Sequence, residues 1–315
     1  MNGIKIRGMG HSVPAQILTN AEIARRVDTS DEWISSRTGI RQRRHCTTER
    51  HLDLCTLAAH AALEKAGVAA GQIGVCVVAT LAADTVVPSA ACALQRTLGL
   101  PEDTVCFDLN AACTGFLFAL HTVECLLNAA PRPYGLVLGC DVLSRLTNWA
   151  DRSTCILFGD GAGAAVVECQ TGWPSIGAVL GVHGNDAMLS CPGVGSGVPC
   201  QLAMEGQSVY KFAVAAVPWC IDQVLERHHI TADEVDFFAF HQANARILDH
   251  VVRKYHIPPE KYGKNIDAYG NTSAASIPIL LSELQARGAI HTGNRVLMVG
   301  FGGGLTWGGA LVEFA

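Results

Sequence analysis

The sequence lacks the features that mark several broad classes of protein. It has no block of like charge and its formal net charge is only −5, so it offers no basic surface for a nucleic acid. Its apolar stretches end at polar residues or proline well before the length that crosses a bilayer, so no membrane partner is expected. The first residues show neither an apolar core nor a cleavage site, and no signal peptide is expected.

Cysteine is frequent, at 13 residues, but no two cysteines have the C-x-x-C spacing that is typical of zinc or redox sites. Several of them lie in apolar, strand-like runs, where a thiol packs as a small hydrophobic group. We therefore expect free thiols in a reducing, cytoplasmic compartment, with no metal site and no cofactor.

Strand-like and helix-like segments alternate along the chain, as is typical of an α/β protein. The pattern predicts strands at Ile73–Thr80, Val105–Leu109, Tyr134–Gly139, Thr154–Phe158, Val235–Phe240 and Val296–Val299. It predicts helices at Ser89–Leu98, Cys113–Asn128, Lys211–His228, Gln242–Tyr255 and Ser273–Arg287.

The two parts of the chain resemble each other locally. Thr154–Glu168 and Arg295–Glu313 both read as a strand, a glycine-rich turn and a second strand. This repeat indicates an internal duplication, and we predict two similar halves, 1–171 and 172–315. The predicted helix Cys113–Asn128 is apolar on all sides, which places it in the middle of the protein.

Three residues are candidates for catalysis. Cys113 follows a strand and opens a helix, where unpaired N–H groups and the helix dipole favour a thiolate. His241 takes the matching place in the second half, after the strand Val235–Phe240. Asn271 lies in a loop that leads into a helix. Taken singly, each also fits a structural role, as a buried thiol, a core or surface histidine, and a turn or capping asparagine.

Five segments in the same order resemble motifs of the β-ketoacyl-acyl-carrier-protein synthase III family of condensing enzymes. They are Asp108–Phe116, Gly159–Gly163, Phe240–Asn244, Gly270–Ala275 and Phe301–Gly308. The resemblance spans the chain and implies a thiolase-like five-layer αβαβα sandwich made of two similar halves. It also implies a cytoplasmic homodimer that condenses an acyl-CoA primer with malonyl-acyl carrier protein, with loss of carbon dioxide, to initiate fatty-acid synthesis.

The same resemblance assigns roles to the catalytic candidates. Cys113 would attack the acyl-CoA and hold the acyl group. His241 and Asn271 would donate hydrogen bonds to the malonyl thioester oxygen. The backbone N–H groups of Cys113 and Gly303 would form the oxyanion hole.

Substrate-binding residues are also implied. Trp33 and Arg37 lie four residues apart and share a helix face, where an indole and a guanidinium suit an adenine and a phosphate. The residues that the resemblance assigns to CoA are Trp33, Arg37, Arg152, Gly206 and Asn244. Those assigned to the acidic carrier protein are Arg246, Arg253 and Lys254, and those assigned to the primer pocket are Val87 and Phe301.

Several alternatives remain open at this point. A related condensing enzyme of secondary metabolism, making a polyketide or quinolone starter, would carry nearly the same motifs. A thioester hydrolase built on cysteine, histidine and asparagine is a different class, and a non-catalytic acyl-binding protein is a third. A degradative thiolase is disfavoured because Phe301–Gly308 contains no second cysteine. A dinucleotide loop is rejected because no helix follows that segment.

Overall fold

A computed structural model describes residues 2–315. The strands are β1 Ile4–Ser12, β2 Gln16–Thr19, β3 Gln42–His45, β4 Ile73–Ala79, β5 Val105–Leu109, β6 Tyr134–Asp141, β7 Gly161–Cys169, β8 Val179–Asn185, β9 Leu189–Ser190, β10 Ala203–Met204, β11 Phe237–Phe240, β12 Arg295–Gly302 and β13 Gly304–Phe314. The helices are α1 Asn20–Ile23, α2 Asp31–Thr38, α3 His51–Ala66, α4 Ala90–Leu98, α5 Gly115–Leu127, α6 Arg152–Cys155, α7 Gly206–His228, α8 Ala245–Lys254, α9 Ile266–Tyr269 and α10 Ser276–Ala286. None of the helices in this range is both long and apolar enough to cross a membrane.

Nine strands form one mixed sheet in which the same topology occurs twice. In the first half the order is β4, β6, β7 and β1, and successive pairs are parallel, antiparallel and antiparallel. In the second half β11, β12, β13 and β8 repeat this sequence of pairings. The halves meet where β1 runs parallel to β13 over two residue pairs. The expected likeness of the two halves is therefore present in the strand order, and the boundary at residue 171 stays a prediction.

Helices lie on both outer sides of the sheet and between its two halves. On one outer side α3 and α4 pack against the first half, and on the other α7 and α8 pack against the second. Helices α5 and α10 contact strands of both halves and belong to the central core cluster. Phe116 and Leu120 are buried within α5, so the prediction of a buried apolar helix is confirmed.

One local prediction differs from the structure in the type of element. The predicted strand Thr154–Phe158 is replaced by the short helix α6, because the Asp151 side chain accepts the N–H of Ser153 at 2.8 Å and caps a helical turn. The predicted helix Lys211–His228 is present as part of α7, which continues through Pro218. Most other predicted elements are present with ends that differ by up to about five residues.

Close packing of α10 on the sheet yields a stability prediction for a glycine of β7. A Cβ atom at Gly163 would lie 2.7 Å from the backbone nitrogen of Ile279, which has no room to move within the core. Gly184 in β8 has no atom within 4 Å of the same position. We expect Gly163→Ala to lower the free energy of unfolding by about 1–3 kcal/mol, measured by urea denaturation. Gly184→Ala is the matched control, and an equal loss in both variants would contradict this packing argument.

Candidate active site

Cys113 lies in a strained turn between β5 and α5. The turn is a 3₁₀ helix at Ala112–Thr114, and Ala112 has a left-handed φ of +47°. The Asn110 side-chain oxygen accepts the N–H of Ala112 at 3.0 Å and holds the turn in place. Cys113 itself is 8% exposed, so its thiol is nearly enclosed by the fold.

The Asn271 loop repeats this turn in the second half. Ser273 has a φ of +50° and begins a 3₁₀ helix that leads into α10. The side-chain oxygen of Asn271 accepts the Ser273 N–H at 2.9 Å. Asn271 therefore corresponds to Asn110, and Ala274 corresponds to Cys113. The expectation that His241 occupies the place of Cys113 is wrong, since His241 follows β11, the counterpart of β4.

His241 is oriented by a hydroxyl of α10. Its Nδ1 lies 2.6 Å from Ser276 Oγ, and the same oxygen accepts the backbone N–H of Gln242 at 3.3 Å. Because the Ser276 hydroxyl has no other acceptor among residues 2–315, we assign its proton to Nδ1, which leaves the hydrogen on Nε2. The ring also packs edge-to-face on Phe301, with centroids 5.4 Å apart. Burial lowers the pKa of His241 to about 3, so the imidazole is neutral.

The end of β12 brings Cys113 and His241 to the same place. The backbone of Gly302 lies so close to Cys113 that a Cβ atom there would be 2.9 Å from the Cys113 nitrogen. Phe301, the preceding residue, contacts the His241 ring. The turn that contains Cys113 also contacts Ser273–Ala275, which follows Asn271. The structure thus gathers Cys113, His241 and Asn271 around one strand end.

In the first half of the chain, the residue equivalent to Gly302 carries a side chain. The last residue of β6 is Asp141, where β12 ends in Gly302. Its carboxylate is fully buried and lies 3.5 Å from the N–H of Ala274, the counterpart of Cys113. The Asp141 side chain therefore lies against the Ala274 N–H, whereas Gly302 has no side chain that could cover the Cys113 N–H. The role expected of Gly303 stays a prediction.

The resting thiol is neutral, which differs from the expected thiolate. Burial raises the pKa of the Cys113 thiol to about 12, and the nearby Asp141 carboxylate adds to this increase. The Ser273 hydroxyl beside the thiol acts in the opposite direction, although it is buried and makes no hydrogen bond of normal geometry among residues 2–315. Desolvation penalises the charged form strongly and opposes the favourable field at the helix start.

The glycine-rich segment at residues 159–163 positions the Asn271 loop. The N–H of Gly159 donates to the carbonyl of Asn271 at 3.0 Å, and the N–H of Asn271 donates to the carbonyl of Leu157 at 2.9 Å. A Cβ atom at Gly159 would lie 2.2 Å from the carbonyl oxygen of Tyr269. Backbone hydrogen bonds and close packing at Gly159 therefore hold the Asn271 loop in place.

The residues expected to bind CoA cluster around α2. Ser30 caps this helix by accepting the N–H of Trp33 at 3.0 Å. The guanidinium carbons of Arg37 and Arg152 lie 5.9 and 5.0 Å from the centre of the Trp33 ring. Asn244, at the start of α8, donates its side-chain N–H to the Arg37 carbonyl at 3.2 Å. Gly206 lies elsewhere in sequence, as the first residue of α7.

The other predicted binding residues divide into two groups. Arg246, Arg253 and Lys254 are all exposed on α8, and Arg246 also donates to the Ser36 carbonyl at 3.1 Å. Phe301 is buried at the site, as its assignment to the primer pocket requires. Val87 is 84% exposed in the loop after β4. A side chain this exposed does not line an enclosed pocket of the single chain, so the assignment of Val87 to the primer pocket stays a prediction.

Sequence reasoning missed three residues of the site: Asp141, Ser276 and Gly302. Only one of them left a signal, because Ser276 is a hydroxyl at the start of an otherwise apolar helix. Asp141 and Gly302 stand out only when the two halves are compared, since each is the last residue of an equivalent strand. That comparison requires the strand register.

The fold and the site together define a condensing enzyme of the thiolase class. Profiles of the 3-oxoacyl-[acyl-carrier-protein] synthase III family match residues 107–184 and, for its C-terminal part, residues 225–314. The chain is 39% identical to β-ketoacyl-[acyl-carrier-protein] synthase III of Clostridium acetobutylicum, covering 100% of this chain and 99% of that protein. It is 42% identical to the synthase III of Streptococcus suis, with 99% of both chains covered.

Solved structures agree with this assignment. The synthase III from Aquifex aeolicus is 38% identical, with a TM-score of 0.92 over 99% of this chain and 100% of that one. The priming β-ketosynthase of the R1128 polyketide pathway is 33% identical, with a TM-score of 0.93 over 99% of this chain and 96% of that one. The chain belongs to the 3-oxoacyl-[acyl-carrier-protein] synthase III family.

The space at Gly302 yields a prediction about the oxyanion hole. A methyl group at this position would cover the Cys113 N–H, so we expect Gly302→Ala to lower the rate of Cys113 acylation by about 100- to 1000-fold, the usual effect of losing one such donor. Gly300→Ala is the matched control in the same strand, since its Cβ would lie 3.4 Å or more from its neighbours. The measurement is the rate of mass increase of the intact protein with acyl-CoA, alongside circular dichroism. Equal rates in the two variants would contradict this role.

Proposed function

We propose that the protein is a β-ketoacyl-[acyl-carrier-protein] synthase III that condenses an acyl-CoA primer with malonyl-acyl carrier protein and so initiates fatty-acid synthesis. The observation that carries the proposal is the meeting of Cys113, His241 and Asn271 at the end of β12. Full-length similarity to synthases of this name supports it.

In the first half-reaction the Cys113 sulfur attacks the thioester carbonyl of the primer. The C–S bond to CoA breaks, and the thiol proton of Cys113 passes to the departing CoA thiolate. The Cys113 N–H, uncovered by Gly302, donates to the oxyanion together with the N–H of Gly303. Because the resting Cys113 thiol is neutral, its proton must leave as the sulfur attacks the carbonyl.

In the second half-reaction malonyl-acyl carrier protein loses carbon dioxide and forms an enolate. The Nε2–H of His241 and the side-chain N–H of Asn271 donate to its thioester oxygen and stabilise the negative charge. A neutral imidazole suits this role because it remains a donor without adding a buried positive charge. The enolate carbon then attacks the acyl group on Cys113, the acyl C–S bond breaks, and the β-ketoacyl product leaves. The Cys113 thiolate released in this step takes a proton from solvent and returns to the resting thiol. No cofactor is required for either step.

The remaining features of the proposal concern binding and assembly. Trp33 and Arg152 would receive the adenine of CoA between them, which requires the guanidinium to move away from the ring it now covers. Arg37 would contact phosphate, and Asn244 and Gly206 would border the pantetheine. A cytoplasmic homodimer is part of the proposal, and the exposed side chains of Val86 and Val87, 83% and 84% accessible, suit burial against a partner.

One second function is favoured by a specific observation. The R1128 priming ketosynthase is as similar in structure as the fatty-acid synthases, so a starter enzyme of secondary metabolism would share this site. Such an enzyme would differ in its primer or in its carrier protein rather than in its chemistry. Val87 is smaller than the phenylalanine that many acetyl-using members of the family carry at this position, so its pocket would accept primers longer or more branched than acetyl.

The decisive experiment follows acylation and condensation separately. We expect intact-mass spectrometry to show one acyl group on Cys113 after exposure to a panel of acyl-CoAs, and malonyl-acyl carrier protein then to give carbon dioxide and a β-ketoacyl product. Cys113→Ala should abolish acyl attachment. Free acid without β-ketoacyl product would indicate a hydrolase, and no turnover at all would indicate an acyl-binding protein.

The exposed basic residues of α8 yield a prediction for carrier binding. Arg246 lies two residues beyond Asn244, beside the proposed CoA channel, where a positive charge would attract an acidic carrier protein. We expect Arg246→Glu to lower kcat/KM for malonyl-acyl carrier protein at least about tenfold while the acyl-CoA loading rate stays within about twofold. Lys65→Glu, an exposed reversal at the end of α3, is the control for net charge. An equal loss in both half-reactions would contradict a carrier role.

A further inference from the structure

A second cluster of reactive side chains lies behind the first half of the sheet. It consists of His51, the first residue of α3, Cys55 one turn later, and Cys140, next to last in β6. All three residues are 0% exposed. One ring nitrogen of His51 and the two sulfur atoms all lie within 4.8 Å of one another.

The imidazole of His51 is held in the orientation that a metal ligand needs. Its Nε2 donates to the carbonyl oxygen of Cys140 at 3.0 Å and lies 3.1 Å from Thr80 Oγ1. Nε2 therefore carries the hydrogen, and Nδ1 presents its lone pair to the cluster. A backbone carbonyl that fixes the second ring nitrogen is the usual support of a metal-binding histidine.

The distance between two of the donor atoms already fits a single ion. His51 Nδ1 and Cys55 Sγ are 3.6 Å apart. Zinc bonds of about 2.0–2.1 Å to nitrogen and about 2.3 Å to sulfur place tetrahedral ligands about 3.5 Å apart. The i, i+4 spacing on α3 produces this separation, and β6 supplies the second sulfur. This arrangement has no C-x-x-C signature, so it could not be recognised from the spacing of the cysteines alone.

The charges and the donor types select the class of ion. Two thiolates and one neutral imidazole sum to zero with a divalent cation, and a neutral complex avoids the large cost of burying net charge. Soft sulfur donors favour zinc-like ions over calcium or magnesium, which prefer oxygen. Within residues 2–315 the cluster contains no fourth histidine, cysteine or acidic ligand, so these side chains supply three ligands to the ion.

We infer that His51, Cys55 and Cys140 form a binding site for a thiophilic divalent cation, with Zn²⁺ as its representative. Binding deprotonates both thiols and releases two protons to solvent, with no change of oxidation state. The bound ion would join the start of α3 to β6 and so fix the strand end that carries Asp141. Thr80 connects the two places, since its Oγ1 lies beside His51 Nε2 and donates to the Asp141 carboxylate at 3.1 Å.

The test is a metal titration of the full-length protein after treatment with a chelator and a reductant. Because the cluster is buried, Zn²⁺ is supplied both to the folded protein and during refolding. We expect one equivalent per chain in competition with a chelator of known affinity, two protons released, and a melting temperature at least about 3 °C higher at 100 times the Kd. Co²⁺ in place of Zn²⁺ should show thiolate-to-cobalt charge-transfer absorption.

Variants locate the ion. Cys55→Ser with Cys140→Ser should abolish both the binding and the absorption. Cys76→Ser with Cys106→Ser is the matched control, since these two thiols are register partners on β4 and β5 outside the cluster. Equal binding by the two double variants, or no binding by the wild-type protein after refolding with Zn²⁺, would overturn the inference. If the first double variant fails to fold, His51→Gln keeps both thiols and should weaken binding at least about tenfold; an unchanged affinity would overturn it.

Discussion

The active site depends on one steric constraint, the contact of backbone with backbone where the central helices begin. The strand end at Gly302 lies against the Cys113 nitrogen, and Gly139 lies so close to Ala274 that a Cβ there would be 2.1 Å from its carbonyl oxygen. Neither contact tolerates a side chain without displacement of the backbone. These contacts hold two turns face to face, and their rigidity allows donors to be placed before the substrate arrives.

Burial makes the chemistry of the site different from that of an exposed thiol. Both the Cys113 thiol and the His241 imidazole are neutral at physiological pH, because desolvation raises one pKa and lowers the other. Hydrogen-bond donors then matter more than stored charge, since they act in surroundings with little competing water. Ser276 contributes here by fixing which nitrogen of His241 carries the proton.

The sequence predicted the fold class and most elements, because these depend on local pattern. It also named three candidate catalytic side chains from motifs, and their catalytic roles stay a prediction. Alternation and glycine or proline stops located strands such as β4 and helices such as α4. The correspondence between the halves was only partly predicted: His241 was paired with Cys113 because both follow a strand. The strand order, which no local pattern reveals, pairs Asn271 with Asn110 instead.

The ionisation of Cys113 could not be predicted either, since the helix dipole is visible in sequence and the depth of burial is not. The neighbouring Asp141 illustrates a further consequence of the duplicated fold. A gene that doubles one half begins with two equivalent strand ends and two equivalent turns. In this protein one strand ends in Gly302 and the other in Asp141, whose carboxylate accepts hydrogen bonds from Thr80 and Leu81. The turn beside Asp141 carries Ala274 where the other turn carries Cys113, so the two equivalent places have diverged and only one of them keeps a thiol.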